Sequence, residues 1–304
     1  MSRVYVFSEN SQLAAELVTT AATLGDEVHA VCIGAAAAAT LAGTGATSVI
    51  ALQADQVRPE AYAPALARLV GERGADLLLV GATISGWEIA ARAATILGIG
   101  LVSEATSISA LPGGAWRSER IMYAGGAVQT ETWTGPAVVT VAQGQAVAAT
   151  GGAADVETVE VAADARVRVV ARTAHERAGT DLAGAARVVC VGMGLKKVED
   201  LALAGDLADA LGAEMACTRP VAEDREWLPV ERYIGISGVK VRPDLYVGLG
   251  VSGQVQHTIG IRDAKVIVGI NTDPDATLFA VCDYAVVGSL YEIAPLLAAA
   301  VRNR

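Results

Sequence analysis

The segment from Leu245 to Asp283 carries residues suited to holding a phosphate-bearing cofactor. Gly248, Gly250 and Gly253 form a literal G-x-G-x-x-G after the apolar run Leu245–Val247, which reads as a buried parallel strand. Glycines at this spacing permit a tight turn and let backbone N–H groups approach an anion. The sequence predicts a helix opening over Gln254–Ile259, whose amino end offers unpaired N–H groups and partial positive charge. Val266–Ile270 reads as the next strand, with Asn271 and Asp273 at its carboxyl end. Asp273 stands 20 residues after Gly253, where a ribose-binding acid is expected in a dinucleotide fold. Spacing alone therefore points to NAD, although any one of these glycines also suits a plain turn in a chain with 32 of them.

Other chemistry is sparse. No general base, nucleophile or metal constellation stands out, which suits a protein that converts no substrate itself. Three histidines and no C-x-x-C make a metal site improbable. Cys32, Cys190, Cys217 and Cys282 lie far apart in or beside apolar strands and read as buried free thiols. Trp87, Trp116, Trp133 and Trp227 read as core or interface anchors, and Lys196-Lys197 as an exposed helix start.

These residues need a scaffold, and 304 residues suffice for two domains. A formal charge of −10 argues against nucleic-acid or anionic-membrane surfaces. The first residues, MSRVYVFSE, run straight into a strand with no signal-peptide pattern, and no run of 18 apolar residues occurs. With reduced thiols, this predicts a cytoplasmic protein.

The first half alternates strand and helix: strands at Val4–Phe7, Glu27–Ile33, Ser48–Leu52 and Asp76–Val80, helices at Ser11–Leu24, Ala35–Leu41, Pro59–Glu72 and Trp87–Leu97. Such alternation predicts an α/β fold with a mainly parallel sheet covered on both faces. Residues 106–145 read as a β-rich excursion punctuated by glycines and suited to partner contact, followed by strands at Val156–Val161 and Val167–Val170 and a linker over Ala178–Ala186. Strand–helix alternation then resumes with Arg187–Val191, Lys196–Leu211, Glu214–Cys217, Asp283–Val287 and a closing helix Tyr291–Arg304. The expected organisation is two α/β domains, 1–180 and 187–304, the second a Rossmann-like or flavodoxin-like cofactor-binding fold.

The second domain resembles the FAD-binding domain of electron transfer flavoprotein alpha subunits. The residues that carry this are LY-x-x-x-G-x-SG-x-x-QH at Leu245–His257, Gly260, Ile270-Asn271, Asp273-Pro274 and Asp283-Tyr284. Thr218–Pro220 is similar to the family's S/T-R loop, and Gly235-Ile236-Ser237-Gly238 stands where the family usually has G-Q-T-G. Gly81–Thr83, Ala90–Gly98 and Leu101–Thr106 extend the resemblance into the first domain, and Arg219–Gly235 looks like the FixB-like branch. The resemblance implies one FAD, a heterodimer with a beta subunit that usually holds AMP, and electron transfer without substrate turnover. Electrons would pass from flavin dehydrogenases of the acyl-CoA dehydrogenase type, as in fatty acid β-oxidation, to a quinone oxidoreductase or another acceptor.

The resemblance also implies roles. Arg219 is the cation beside the flavin ring, Ser237 a donor toward N5, with Gly238 in the same loop, and His257 a hydrogen-bonding group near the C2 carbonyl that adds charge if protonated. Ser252, Gly253, Gln254 and Gln256 belong to the ribityl–pyrophosphate region, with backbone help near Val239, and Asn271 and Asp283 to the adenosine end. Met193 replaces the arginine of the family's G-R-G loop, and Ile236 its glutamine. Two other readings stand beside this one: an NAD-dependent oxidoreductase, and a non-redox regulatory protein that binds adenine nucleotides.

Overall fold

The computed structural model describes residues 2–53, 58–123, 126–166, 168–171, 173 and 182–303. The chain divides into two compact units, Met1–Thr173 and Ala174–Arg304. The linker reading at Ala178–Ala186 falls partly outside the described residues; Leu182 is buried and accepts from the N–H of Ala185.

The first unit contains β1 (Arg3–Phe7), α1 (Ser11–Ala22), β2 (Glu27–Ile33), α2 (Ala35–Leu41), β3 (Ser48–Gln53), α3 (Ala63–Glu72), β4 (Leu77–Gly81), α4 (Ile84–Leu97), β5 (Gly100–Leu111), β6 (Ala115–Met122), β7 (Ala127–Thr134), β8 (Ala137–Val141) and β9 (Asp155–Glu160). Its sheet runs β7-β6-β5-β8-β4-β1-β2-β3-β9. All neighbours pair in parallel except β6, which is antiparallel to β5 and β7. Strands β4 and β8 are buried along their whole length, as unbroken apolar runs must be when helices cover both faces. Alternate residues then feed two cores: Val6, Leu17, Leu79 and Val139 on one face, Phe7, Leu66, Val80 and Val138 on the other. The Asn10 side chain caps α1 by accepting from the N–H groups of Gln12 and Leu13.

Three readings change here. Pro59–Glu72 is not one helix: a 3-10 turn over Pro59–Tyr62 leads into α3, whose second residue, Pro64, has no N–H and fits only in a first turn. The 106–145 segment is not wholly an excursion, since β8 returns to sit between β4 and β5. Of Val167–Val170, Val167 lies outside the described residues and the other three form no strand.

The second unit contains β10 (Arg187–Val191), α5 (Leu201–Leu211), β11 (Glu214–Cys217), β12 (Leu245–Leu249), α6 (Val255–Thr258), β13 (Ile267–Asn271), β14 (Tyr284–Val287) and α7 (Leu290–Arg302). Its sheet, β11-β10-β12-β13-β14, is parallel throughout. In chain terms this is the order 2-1-3-4-5, which places a topological switch point between the carboxyl ends of β10 and β12. α5 begins later than the sequence suggests, after a 3-10 turn at Val198–Asp200, leaving Lys196 and Lys197 exposed outside it. Core residues of α5 and α7, including Ala204, Leu207, Ala294 and Ala298, meet Val189 and Val247 of the sheet.

Candidate functional site

A cleft of about 420 Å³ opens at the switch point of the second unit. Four backbone segments build its walls. Gly192–Leu195 leaves the end of β10, and the N–H groups of Gly192 and Gly194 donate to the carbonyls of Leu249 and Gly250. That contact presses Gly192 against the loop after β12, since a Cβ on it would lie 2.3 Å from the Gly250 oxygen. Met193 then lines the cleft at 44% exposure.

Thr218 and Arg219 continue from β11. The Thr218 N–H donates to the Val191 carbonyl, which fixes the backbone; the residue lines the cleft, and its buried Oγ1 has no hydrogen-bond partner among the described residues. A buried hydroxyl without a partner is costly. Arg219 also lines the cleft, with Nε donating to Glu223 at 2.5 Å. Its side chain is 63% exposed, so solvent screens its charge in the isolated chain.

The third wall is the turn Gly235–Gly238, closed by Gly238 N–H to Gly235 carbonyl at 3.1 Å, with Ile236 and Ser237 at its tip. The fourth is Gly250–Gly253 after β12. Gly253 takes φ of +85°, and a Cβ there would lie 2.1 Å from the Leu278 nitrogen, so only glycine fits. Gln254 and Gln256 also border the cleft.

His257 reaches the cleft from α6 and is 7% exposed. Its Nδ1 lies 3.1 Å from the Ile234 carbonyl, which can only accept, so Nδ1 carries the proton. Nε2 therefore accepts from the Tyr246 hydroxyl at 2.7 Å. Burial lowers its pKa to about 4, against a smaller opposing pull from the Ile234 carbonyl. The reading in which His257 adds positive charge is thereby corrected: the ring is neutral at pH 7, and both nitrogens are engaged with the protein.

The cleft thus gathers Arg219, Ser237, Ser252, Gly253, Gln254, Gln256 and His257. Gly238 is placed differently: it packs on the Tyr233 ring, where a Cβ would lie 2.3 Å from Cε2. Asn271 stands at the carboxyl end of β13, its side chain donating to the Val251 carbonyl and accepting from the Asp273 N–H. Asp283 does not join it. Its carboxylate accepts from the N–H of Ile267, the first residue of β13, at the amino edge of the sheet, about 13 Å of strand away from Asn271. A ligand at the carboxyl edge is out of its reach. The residue at that edge on the neighbouring strand is Ser289, which follows β14 and caps α7 through the N–H of Tyr291. Sequence reasoning missed Ser289 and left Thr218 out of the site. A hydroxyl residue just beyond a predicted strand was the available signal for both.

The dinucleotide reading also fails on position. The G-x-G-x-x-G follows the third strand of this sheet in chain order, not the first, and the helix after it is one turn of four residues. So short a helix adds little macrodipole field. Asp273 is exposed and turns back on the Asp275 N–H. Burial raises the pKa of the Cys190 and Cys217 thiols, the latter to about 12, and of Cys282, which is half-buried, to about 11. Among the described residues no helix is long and apolar enough to cross a membrane.

Comparison with known proteins agrees with this geometry. Residues 4–165 match the electron transfer flavoprotein domain, and residues 181–262 match the electron transfer flavoprotein FAD-binding domain. YdiR of Escherichia coli strain K12, named as an electron transfer flavoprotein subunit, is 37% identical over 98% of this chain and 97% of its own. Protein FixB of Escherichia coli O157:H7 and of Shigella flexneri are each 36% identical over 99% of this chain and 98% of theirs. The chain belongs to the electron transfer flavoprotein family, as a FixB-like member of its alpha-subunit type.

Proposed function

We propose that this chain binds one FAD in the second-unit cleft and works as the alpha subunit of a heterodimeric electron carrier. The observation that carries the reading is the convergence, on one switch-point cleft, of a cation (Arg219), an unpartnered buried hydroxyl (Thr218), a turn bearing Ser237 and a close-approach glycine loop. A flavin, when bound, supplies reversible electron uptake and release. The protein's own part is electrostatic and positional. Arg219 supplies fixed positive charge, which strengthens as a partner or ligand displaces water. Neutral His257 adds none, so Arg219 is the cation of the cleft lining. Thr218 and Ser237 offer hydroxyls, Ser252, Gly253, Gln254 and Gln256 border the ribityl–pyrophosphate region, and Asn271 with Ser289 holds the adenosine end. Met193 and Ile236, 44% and 56% exposed, make an apolar rim that excludes water once covered.

The partner in this reading is a beta subunit holding AMP. Its docking face includes the β5–β7 ribbon, where β7 is an edge strand and Tyr123 and Val128 are 84% and 62% exposed. Electrons come from flavin dehydrogenases of the acyl-CoA dehydrogenase type and leave to a quinone oxidoreductase or another acceptor, in the cytoplasm, without substrate turnover by this chain. The test is an absorbance spectrum of the chain co-produced with its beta-type neighbour. Flavin bands near one FAD per heterodimer, bleached stepwise on reductive titration, are the expected result. A colourless complex that stays so after FAD is added overturns the reading, and a monodisperse monomer that holds FAD unaided overturns the obligate partner.

A further inference from the structure

We propose that Tyr233 is a positioning residue that sets the geometry of the cleft, holding the Ser237 turn with its side chain and the Thr218–Arg219 strand end with its backbone. The functional consequence rests on the FAD reading above; the positioning itself does not. Tyr233 is 8% exposed and lines the cleft. Its hydroxyl donates to the Ser237 carbonyl at 2.7 Å. Its ring packs so close against Gly238 that a Cβ there would come 2.3 to 2.4 Å from Cε2 and Cδ2.

The backbone of the same residue works on both sides. The Tyr233 carbonyl accepts from Val239 N–H at 2.9 Å, closing the loop that contains the turn. Tyr233 also bridges Cys217, the last residue of β11, and the next N–H, of Ile234, donates to the Cys217 carbonyl at 2.9 Å. Thr218 and Arg219 follow immediately. The other bonds of the turn are main-chain: Ile236 N–H to Gln256 carbonyl at 2.8 Å, Gly235 N–H to Val239 carbonyl at 3.2 Å and Gly238 N–H to Gly235 carbonyl at 3.1 Å. The Gly238 N–H thus holds one side of the Ser237–Gly238 peptide, and none of these main-chain bonds holds its oxygen. The Tyr233 hydroxyl holds that oxygen, and so pins the other side of the peptide and the backbone from which the Ser237 side chain projects.

Tyr233→Phe isolates the hydroxyl, because the ring stays on Gly238. Hydrogen exchange of the FAD-free protein should show amides 236–238 opening about tenfold faster, with the rest of the unit unchanged and the thermal midpoint lower by only a few degrees. In the heterodimer, FAD affinity should fall about five- to tenfold, and the bound-flavin spectrum and midpoint potential should shift. Ser237→Ala should then cost less in the Tyr233→Phe background than in the wild type, as expected when two changes share one pathway. Unchanged exchange at the turn overturns the positioning. Faster exchange across the whole unit, with spectrum and potential unmoved, overturns it in favour of a merely structural tyrosine. A wild-type heterodimer that takes no FAD sinks the cofactor reading, whereas exchange confined to the turn still supports the positioning.

Discussion

Acidification should destabilise the second unit through His257. The folded ring has a pKa of about 4, against 6.5 for the free side chain. Between these values the unfolded chain binds a proton that the folded one refuses, so stability is complete above pH 6.5 and is lost as pH falls toward 4. The full difference, about 2.5 units at about 1.4 kcal/mol each, is roughly 3 kcal/mol, of which roughly 2 kcal/mol is lost by pH 5. Among the described residues no charge faces the ring: its neighbours are the Tyr246 hydroxyl, the Cys190 thiol and the Ile234 carbonyl, and burial raises the pKa of both Tyr246 and Cys190. His29, in the first unit, is also lowered by burial and contributes with the same sign, so the isolating variant is His257→Gln. Its amide can donate to Ile234 and accept from Tyr246 without titrating. Urea unfolding at pH 7.5 and 5.0 should show wild type losing about 2 kcal/mol more than this variant. Parallel curves, or an imidazole Cε1–H resonance titrating near 6.5, would refute the buried, neutral assignment.

Three further outcomes follow from the same geometry. Gly253→Ala should cost roughly 3 kcal/mol or more in urea unfolding of the second unit, because φ of +85° and a Cβ 2.1 Å from the Leu278 nitrogen both oppose it. Thr218→Val should raise the stability of the FAD-free chain by about 1 kcal/mol, by removing an unpartnered buried hydroxyl, while weakening FAD in a fluorescence titration; a loss of stability would show that the hydroxyl is already satisfied. Arg219→Ala should weaken FAD about tenfold and lower the flavin potential, with the gap to wild type narrowing in high salt as exposed charge is screened.

What was legible in the sequence follows from what is local. Buried strands announce themselves as apolar runs, so Glu27–Ile33, Arg187–Val191 and Glu214–Cys217 were readable to the residue. The hydroxyl–arginine pair before Pro220, the Gly235–Gly238 turn, the Ser252–His257 string and the loop at Met193 marked segments of all four cleft walls. Asp283 misled because the resemblance assigned it to the adenosine end, although the strand read over Asp283–Val287 already put it at an amino end; the bond to Ile267 shows that it faces the wrong edge. His257 misled for a different reason. Its type suggests a charge, but whether it holds one depends on Tyr246, Ile234 and Cys190, drawn together from three separate stretches. Tyr233 left no local signal, because its partners are a carbonyl four residues on and a strand end 16 residues back.

The placement of the cleft in the second unit, rather than the first, has a physical cause. Both units have a switch point at the carboxyl edge of a parallel sheet, the first between β1 and β4. There the loops carry Glu9 and Thr83, whose side chains join at 2.5 Å, and Thr83 also accepts from the Gly86 N–H to cap α4. A carboxylate bonded across the crevice repels a phosphate and occupies the donors that would greet it. At the second switch point the equivalent loops carry glycines, a threonine hydroxyl left unpartnered and an arginine at the rim. The two switch points therefore differ in a few side chains at strand ends, and that difference favours an anionic ligand in the second unit. That asymmetry predicts one tightly held flavin per chain: an adenine nucleotide or FAD titrating into a second site that Thr218→Val leaves unchanged and a substitution at Glu9 or Thr83 alters would refute it.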